Sequence, residues 1–538
     1  MSKTILSLTL LFLGLSSSAQ TKLDTSFSND GIVVHTKYNA TQIHPTQVDR
    51  MLVMPDSTIL LGCQTNQNPD MPIGISGFIL CRLDKKGNIL DTVTNQYSIY
   101  YKGYRYVMPP NNLSADMNGT RDMGLLPDGK ILFTGSVLNS AGIPFATTFR
   151  INYPSLALDT TYGIKGMGQL WQNTPHIAER TAIAADGSSY TISNYLYTDS
   201  LFAFVVKRRP NGLLDSSWQQ NGVFLYINQK GGQFQDIKVA SNGSIYIAGM
   251  YKDASTLFHA TLLKLNANGS RDAAYGANGI AEGEYVANHV IVNSDGSAYL
   301  GGSDLFSPTF YSDYVIKFTP TGQRDATFAT NGLYSYSTPF IARDMIGQAD
   351  NKLLLVGSQS AGSDSSWIAV SRMMPNGKLD TSFGDHGMYE LHQLLPSSTK
   401  TRYANCGILQ PDGKLLVGGG CATSNSPEMM VIRLTNKIDT ASPAPTRVTQ
   451  TVANGFSYSV SPIPATEVLR IHYSLTKSDR ITYSITDENG RMMHSGYLGG
   501  NTPGTYNHVI NIADLAAGFY VLNVGNTISQ HTKISIVR

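Results

Sequence analysis

Aspartate and asparagine residues recur in this sequence at spacings that could place oxygen ligands around a cation. Asn266, Asn268 and Asp272 lie close together beside Gly269. Carboxylate and amide oxygens are the ligands that Ca²⁺ prefers in proteins. The segment lacks the clustered carboxylates and the terminal Glu of a dedicated calcium loop. We therefore expect no metal site here and no cofactor elsewhere in the chain.

The same aspartates have a structural explanation, because each begins the pattern Asp-x-x-aromatic-x-x-x-Gly. The Asp side chain can accept hydrogen bonds from the following backbone in an Asx turn. The aromatic side chain can fill space between neighbouring structural units, and the glycine can adopt the positive φ of a tight turn. The pattern therefore requires no catalytic function.

A second candidate site is the tyrosine-rich segment at residues 97–106. Exposed tyrosines offer flat faces and hydroxyl groups, which suit recognition of a sugar or a peptide. The candidate ligand contacts are Tyr100, Tyr101, Tyr104 and Arg105. The alternative, which is the more common role of such residues, is that Tyr104 and Tyr106 share one face of a strand and pack between structural units.

No known catalytic motif occurs in the sequence. It contains no His-Glu-x-x-His, no Gly-x-Ser-x-Gly, no Walker loop, no GxGxxG on a strand-helix unit and no Cys-x-x-Cys. The 11 histidines are scattered, and His386 lies in a turn motif, where a positive φ or a solvated position is favoured. Carboxylates paired for glycosidic chemistry would come from distant segments, and no pair stands out. We predict no catalytic residue.

Composition narrows the class of protein. Of 538 residues, 14% are charged, and 40 Lys and Arg against 38 Asp and Glu give a formal net charge of +2. Globular domains average about a quarter charged residues, so this chain is poor in charge, and its 50 glycines make it rich in turns. Without a basic surplus, we expect no nucleic-acid partner and no electrostatic membrane binding. The profile favours an all-β extracellular protein.

The N-terminus has the pattern of a secretory signal peptide over residues 1–19. An apolar run at residues 5–15 follows a basic residue, and small side chains precede the cleavage site predicted between Ala19 and Gln20. The run is too short to favour the alternative of a membrane anchor. No other stretch approaches a transmembrane length, so we expect an exported chain without a transmembrane segment.

Four cysteines are too few to stabilise so long a chain, which must depend on packing. They are Cys63, Cys81, Cys406 and Cys421. If a two-residue hairpin turn places Gln410 opposite Leu415, Cys406 lies opposite Gly419 and only diagonal to Cys421, beyond comfortable disulfide geometry. We expect small buried thiols, with a pairing through loops as the alternative.

An internal repeat dominates the sequence, with a period of about 59 residues. The Asp-aromatic-Gly pattern begins at Asp24, Asp159, Asp215, Asp272, Asp325 and Asp380, with degenerate copies at Asp91 and Asp439. A second signature, usually Asp-Gly or Asn-Gly before an apolar run, begins at Asp56, Asp128, Asp186, Asn242, Asp295, Asp350 and Asp412. Such a pair predicts a type I′ hairpin turn with positive φ at both central residues.

Each repeat offers four short strands and no helical pattern. Four-stranded units arranged in a circle form a β-propeller, which protects the strand edges that an open stack would expose. We therefore predict an all-β fold with a seven-bladed β-propeller-like repeat domain over residues 20–441. An open solenoid is the alternative, although the chain shows no polar capping repeats.

The two signatures together resemble a known bacterial repeat. The segment Leu379-Asp380-x-x-Phe383-Gly384-x-x-Gly387, with Pro411-Asp412-Gly413-Lys414 before an apolar run, is similar to the delta-60 repeat of large secreted proteins. The resemblance covers residues 21–441. It implies a propeller-like β architecture and no enzyme class, because that family has no catalytic motif.

A second, smaller domain follows the repeats. Residues 442–455 begin with a Pro-rich stretch, and we predict that they form a linker. Residues 456–538 show short alternating apolar runs, such as residues 481–485. These runs predict a small Ig-like β-sandwich.

This tail resembles the type A C-terminal sorting domain of the type IX secretion system of Bacteroidetes. The resemblance rests on residues 459–465, residues 487–491, the strand that contains Gly518-Phe519-Tyr520 and the basic end at Arg538, although Pro462-Ile463-Pro464 replaces the usual Pro-Asn-Pro. It implies Sec export to the periplasm, translocation across the outer membrane by the type IX machinery, and release or surface attachment.

These observations predict a protein that is secreted or attached to the outer-membrane surface. The leading hypothesis is non-catalytic binding or adhesion by a monomeric propeller, with a glycan or a protein as ligand. The alternative is an extracellular hydrolase or lyase that acts on polysaccharide from the central funnel. A shared pair of acidic residues at the funnel mouth would favour the enzyme.

Overall fold

A computed structural model of the chain contains two compact units, Met1–Lys437 and Ile438–Arg538. The described residues are 21–34, 45–65, 78–90, 98–101, 104–107, 121–139, 143–169, 175–195, 202–227, 232–252, 258–304, 312–337, 339–360, 366–391, 401–422, 427–436, 448–452, 456–461, 465, 468–487, 490–499, 502–516, 518–525 and 529–536. The predicted signal peptide and its Ala19–Gln20 cleavage site lie outside these ranges. The degenerate repeats at Asp91 and Asp439 lie outside them too.

The described part of the first unit consists of short strands. They are β1 (Ile32–Val34), β2 (Pro45–Val53), β3 (Ile59–Thr65), β4 (Phe78–Leu83), β5 (Ser98–Tyr101), β6 (Tyr104–Val107), β7 (Asp122–Leu125), β8 (Ile131–Leu138), β9 (Pro144–Ile151), β10 (Met167–Gln169), β11 (His176–Ile183), β12 (Ser189–Tyr195), β13 (Phe202–Arg208), β14 (Val223–Ile227), β15 (Gly232–Val239), β16 (Ile245–Lys252), β17 (Phe258–Leu265), β18 (Ile280–Glu284), β19 (Val286–Val292), β20 (Ala298–Asp304), β21 (Ser312–Phe318), β22 (Leu333–Ser335), β23 (Phe340–Gly347), β24 (Leu353–Ser360), β25 (Ser366–Met373), β26 (Met388–Glu390), β27 (Thr401–Leu409), β28 (Leu415–Ala422) and β29 (Pro427–Leu434). No helix occurs among the described residues.

These strands group into seven antiparallel sets, which we call blades 1 to 7. The blades are β2–β6, β7–β10, β11–β14, β15–β18, β19–β22, β23–β26, and β27–β29 together with β1. One parallel pair, Ser366 with Thr401, joins blades 6 and 7 into a continuous sheet. Blade 1 carries an additional strand, because the β5–β6 hairpin adds to β4.

The hairpin between the first two strands of a blade has a three-residue loop, so the type I′ prediction is wrong. In blade 7 the Gly413 amide donates to the Gln410 carbonyl, and the Gln410 amide donates to the Lys414 carbonyl. Gly413 has a φ of 82°, whereas Asp412 is not among the described residues with positive φ. The loop is therefore a type I turn followed by one left-handed glycine. Asp412 stabilises it by accepting a hydrogen bond from the Lys414 amide at 3.2 Å.

The Asp-aromatic-Gly pattern behaves as the sequence predicts. Its glycines have φ between 85° and 95°, at Gly31, Gly166, Gly222, Gly279, Gly332 and Gly387. Its aromatic side chains are all buried, at Phe27, Tyr162, Trp218, Tyr275, Phe328 and Phe383. They lie against the neighbouring blade: a Cβ added to Gly87 of blade 1 would be 3.0 Å from the Phe27 ring. The aromatic ring therefore fills the space between blades.

The N-terminal segment completes the last blade. β1 pairs with β29, so that Ile32 lies opposite Ile432. Asp24 Oδ2 accepts a hydrogen bond from Arg433 Nε at 2.8 Å; blades 2 to 6 form the corresponding Asp-cation pair within one continuous segment. The pattern that begins at Asp24 thus belongs to blade 7, although it is the first in the sequence.

Blade 7 also packs against blade 1, which closes the ring. One buried cluster combines Val48, Ile59 and Leu61 of blade 1 with Leu416 and Met429 of blade 7. Because the first and last blades bury each other, the array has no free ends. An open solenoid is therefore excluded, and no polar capping repeat is needed.

All four cysteines are buried free thiols. The three-residue loop shifts the predicted register by one residue, so Cys406 lies opposite Gly418 instead of Gly419. Cys421 lies opposite Arg402, away from Cys406. Burial raises the pKa of Cys81 to about 12 and the pKa of Cys421 to about 11.

We expect these thiols to react with a maleimide or disulfide reagent only after unfolding. At pH 8 the thiolate fraction of such groups is on the order of one in a thousand or less, and the reagent has no access to them. Labelling should be slow in buffer and complete for four thiols in concentrated urea. Ser478→Cys, at an exposed position, is the control that should label at once. Fast labelling of the unmodified folded protein would contradict the expectation.

The second unit consists of two four-stranded antiparallel sheets. Its strands are β30 (Val448–Val452), β31 (Phe456–Ser461), β32 (Val468–Leu475), β33 (Thr482–Asp487), β34 (Met492–Tyr497), β35 (Gly504–Asn511), β36 (Gly518–Gly525) and β37 (Ser529–Ile536). The sheets run in the order β30-β31-β32-β35 and β34-β33-β36-β37. A single core joins them, with Ile471 and Leu469 from one sheet and Ile485, Leu522 and Ile534 from the other.

One strand of this unit lies where the sequence predicts a linker. β30 falls inside residues 442–455 and pairs with β31, Val448 opposite Val460. Its valines and threonines favour a strand. The predicted linker extended to residue 455 because it begins with a Pro-rich stretch. The second unit therefore begins before residue 456.

Candidate functional site

The repeated aspartates, the first candidates for chemistry, are engaged in ion pairs inside their blades. In every described copy one carboxylate oxygen accepts a hydrogen bond from the backbone N–H of the second residue after it, and the other binds a cation on the third strand of the same blade. The pairs are Asp24–Arg433, Asp159–Arg150, Asp215–Lys207, Asp272–Lys264, Asp325–Lys317 and Asp380–Arg372, at 2.8 to 3.0 Å. Among the described residues, no group of three or more His, Cys, Asp or Glu side chains could hold a metal ion.

The ion pairs come in two kinds that are visible in the sequence once the contact is known. Where the strand cation is Arg, a Lys in the hairpin turn binds the same carboxylate; Lys352 and Arg372 both lie 2.8 Å from Asp380 Oδ2. Where the strand cation is Lys, the turn has Ser and a tyrosine follows, and Lys264 lies 5.4 Å from the Tyr246 ring centre. Three residues therefore change together from blade to blade.

Asp380→Asn should destabilise the propeller by about 3 kcal/mol, because two buried cations lose the carboxylate that they share. The side chains of Arg372 and Lys352 are only 2% and 6% exposed. Asp325→Asn is the matched control, since Asp325 has a single Lys partner, Lys317, at 3.0 Å. It should cost about 1 kcal/mol. Urea unfolding measures both, and equal losses would contradict the argument.

The same carboxylates make stability depend on pH. Burial opposes the charge of Asp380, but the hydrogen bond from Lys352 and the Arg372 charge outweigh it and lower its pKa to about 2. Asp24 and Asp215 also have pKa values of about 2. Because these values lie below those of the unfolded chain, the stabilisation is complete above about pH 4 and is lost as the pH falls towards 2.

A different set of polar residues meets at the centre of the ring. The first strand of each blade lines a central cavity of about 460 Å³. Each blade contributes one polar residue seven positions before its hairpin Asp or Asn. These cavity residues are Asp49, Arg121, Glu179, Gln235, Asn288, Arg343 and Asn405. In six blades the cavity residue is the extra residue of a β-bulge, which turns it out of the strand alternation.

The next residue of each first strand forms a second ring, in which acids alternate with other side chains. In blade order it is Arg50, Asp122, Arg180, Asp236, His289, Asp344 and Cys406. The three acids fasten neighbouring blades together. Each accepts a backbone N–H of the next blade: Thr181 on Asp122 at 2.8 Å, Val290 on Asp236 at 3.0 Å and Gly407 on Asp344 at 2.9 Å.

Two carboxylates in the cavity have raised proton affinity. Burial raises the pKa of Asp49 to about 6, against the hydrogen bond from Gln47 Nε2 at 2.7 Å. Burial also raises the pKa of Glu179, whose Oε2 lies 3.7 Å from Arg121 Nη1. Burial lowers the pKa of His289, so its imidazole is neutral at pH 7. The cavity thus offers one carboxylate, Asp49, with a pKa of about 6, a second, Glu179, with a raised pKa, and guanidinium groups of the kind that pair with anions.

The tyrosine-rich segment lies elsewhere. It forms the β5–β6 hairpin, with Tyr100 opposite Arg105 and Tyr101 opposite Tyr104. The hairpin is at the far edge of blade 1 from β2, which carries the cavity residue Asp49. The side chains of these candidates lie outside the described part of the structure, so their role as ligand contacts stays a prediction.

The cavity residues match no motif in the sequence. Their signal is a polar side chain at one fixed position of every repeat, seven residues before the Asp or Asn of the hairpin. The residue type differs between blades, so no motif search finds them. Only the spacing to the hairpin turn, together with the ring, brings them together.

Two family models match the sequence. The model described as "Secretion system C-terminal sorting domain" matches residues 459–538, the sandwich of the second unit. The second unit is a secretion sorting domain. The model "Domain of unknown function (DUF5122) beta-propeller" matches residues 240–275 and 348–383. The predicted propeller and type IX sorting tail are confirmed.

The sorting domain establishes that the protein is exported and is secreted or attached to the cell surface. Within the described ranges, no helix has the length and apolar character needed to cross a bilayer. No curated protein matches the sequence significantly.

Several solved structures share a distant likeness with the chain. They include polysaccharide lyase Uly1 (10% identity, 75% of this chain and 92% of that chain, TM-score 0.39), prolyl oligopeptidase B from Galerina marginata (12%, 82% and 56%, 0.35) and the Trypanosoma rangeli sialidase (9%, 96% and 93%, 0.32). Likenesses this distant transfer no activity to this chain.

Proposed function

We propose that the exported propeller is a non-catalytic binding protein and that its central cavity holds the ligand, a glycan or a protein segment. The observation that supports the proposal is the contrast between two classes of position. The Asp of the Asp-cation pairs, which lie inside the blades, is the same residue in every described copy. The seven cavity positions carry different polar residues. Such variety at one aligned position suits a surface that faces an asymmetric ligand.

The cavity is also large enough for this role. Its volume of about 460 Å³ lies within the range of small-molecule sites. Amide groups from Gln47, Gln235, Asn288 and Asn405 line it beside the charged groups. Amides both donate and accept hydrogen bonds, which suits hydroxyl-rich ligands and peptide backbone.

Binding of the mature chain to a broad panel of glycans and peptides tests the proposal. Gln235→Trp should block the cavity and abolish binding of any hit. Leu225→Trp is the control, because Leu225 lies exposed on the last strand of blade 3. Loss of binding in both variants, or in neither, would place the ligand outside the cavity. Turnover of a panel member by the unmodified chain would refute the non-catalytic role.

The second candidate function is hydrolysis or elimination on a polysaccharide. Asp49 and Glu179 line the same cavity and both have raised pKa values, as general acids and bases do. If the protein is such an enzyme, Asp49→Asn and Glu179→Gln should each lower kcat at least a hundredfold while the chain stays folded. Binding without turnover in the unmodified chain favours the first proposal.

The β5–β6 hairpin is a separate candidate surface. If it contacts ligand, replacing Tyr100, Tyr101 and Arg105 by Ala should abolish binding and leave the melting temperature almost unchanged. A large loss of stability would instead show that these side chains pack within the blade. Thermal unfolding and the same binding panel distinguish the two outcomes.

A further inference from the structure

Arg343 differs from the other guanidinium groups of the cavity. It is the extra residue of the bulge between Ala342 and Asp344, on an exposed position that lines the cavity. Within the described ranges it has no ion-pair or hydrogen-bond partner. Arg50, by contrast, lies 3.3 Å from Asp122, and Arg121 lies 3.7 Å from Glu179.

The nearest carboxylate along the chain is already engaged. Asp344 Oδ1 accepts the Met345 amide at 2.9 Å, and Asp344 Oδ2 accepts the Gly407 amide of blade 7 at 2.9 Å. Both carboxylate oxygens therefore face backbone N–H groups, and the chain turns Asp344 towards the contact between blades. Asp344 therefore does not neutralise the charge of Arg343, which lines the cavity.

The neighbouring blades add no negative charge on this side. The cavity residues next to Arg343 in the ring are Asn288 of blade 5 and Asn405 of blade 7, both neutral. The two acidic cavity residues, Asp49 and Glu179, belong to blades 1 and 3. One arc of the cavity therefore has an uncompensated cation between two amides, whereas on the other arc the two carboxylates lie among Arg50, Arg121 and Arg180.

We propose that the cavity binds a ligand that carries a carboxylate, and that Arg343 is the residue that pairs with it. This inference rests on the proposed binding function and names its ligand class. A guanidinium group matches a planar carboxylate through two parallel N–H···O bonds. Asn288 and Asn405 flank that contact, while Asp49 and Glu179 accept hydrogen bonds from hydroxyl groups at the other end. A sugar chain with uronic acid units has both features.

Trigalacturonate, its methyl ester and neutral galactotriose are the probes, with calorimetry on the full mature chain. Trigalacturonate should bind, and the other two should bind at least tenfold more weakly, because they lack the charge. Arg343→Met should weaken trigalacturonate binding by about tenfold or more and leave binding of galactotriose unchanged. Arg343→Lys should retain part of the affinity, because it keeps the charge and loses the fork.

Arg470→Met is the matched control, since Arg470 is an exposed strand residue of the second unit. It should change neither binding nor melting temperature. Equal affinity for acid and ester, no binding of trigalacturonate at millimolar concentration, or full affinity in Arg343→Met would each overturn the carboxylate proposal. If trigalacturonate does not bind, but galactotriose or a peptide does and Gln235→Trp abolishes that binding, the proposed binding function holds and the carboxylate proposal fails. A sulfated oligosaccharide that binds more tightly than trigalacturonate would also overturn the proposal.

Discussion

A chain that lacks residues 21–34 is expected not to fold, because the deletion removes one edge of blade 7 and opens the ring. β29 loses one of its two partner strands and keeps β28. Arg433, with a side chain only 6% exposed, loses the Asp24 carboxylate, and the space that Phe27 fills becomes a cavity. A buried unpaired cation costs about 3 kcal/mol or more, and so does loss of a buried Phe. Together they approach the whole stability of a typical domain.

Moving residues 21–34 to another place in the sequence tests whether the fold needs them at the N-terminus or only needs them beside β29. The Thr435 amide donates to the Lys22 carbonyl at 2.8 Å, so the segment runs antiparallel beside the end of β29. Residues 21–34 inserted after Asn436 through a short turn should therefore form a hairpin and restore cooperative unfolding in urea. Circular dichroism and urea titration compare the deletion, the relocation and the unmodified chain. A deletion variant that unfolds with unchanged free energy would refute the closure of the ring by this segment.

Removal of residues 448–538 should leave the propeller folded and hold it in the periplasm. The second unit buries its own core, from Phe456 to Ile536, and the propeller forms a separate compact unit, so we expect the propeller to fold without it. Fractionation of a type IX-competent host should show almost none of the truncated protein at the surface or in the medium. Its melting temperature should match that of the propeller in the full chain.

The reciprocal experiment fuses residues 438–538 to a reporter that carries its own signal peptide. The reporter should reach the surface or the medium. The same fusion with Ile485→Asp should stay in the periplasm, because Ile485 is fully buried between the two sheets. Normal export of the truncated protein would show that residues 448–538 are not required for sorting. Retention of the intact fusion in the periplasm would show that residues 438–538 are not sufficient.

Local features of the blades could be predicted from the sequence because they depend on short-range chemistry. Glycine at the end of the Asp-aromatic-Gly pattern needs positive φ, and Gly387 has a φ of 95°. A buried aromatic three positions after the Asp is an equally local requirement, and Phe383 meets it. The hairpin positions were also predicted correctly. Their turn type was not, because Asp-Gly fits both a two-residue and a three-residue loop.

The candidate site could not be predicted from the sequence because it forms only when the seven blades close into a ring. Asp49 and Glu179 are separated by a whole blade in the sequence, and they share a cavity only because the ring brings all first strands to one axis. The sequence also did not show at which point of the repeat each blade begins and ends. The sequence pattern beginning at Asp24 looks like the start of the first repeat, whereas the contact with Arg433 shows that it ends the last.

The alternation in the second ring limits how this array can grow or shrink. Asp122, Asp236 and Asp344 each tie their own blade to the next one, so the ring is divided into three doublets and one single blade, blade 1. Loss of one blade such as that of Arg180 would set two acids side by side. Loss or gain of a doublet would preserve the order of charges. Loss of blade 1 alone would also keep the acids apart, so the electrostatics of the axis constrain which blades the array can lose during evolution.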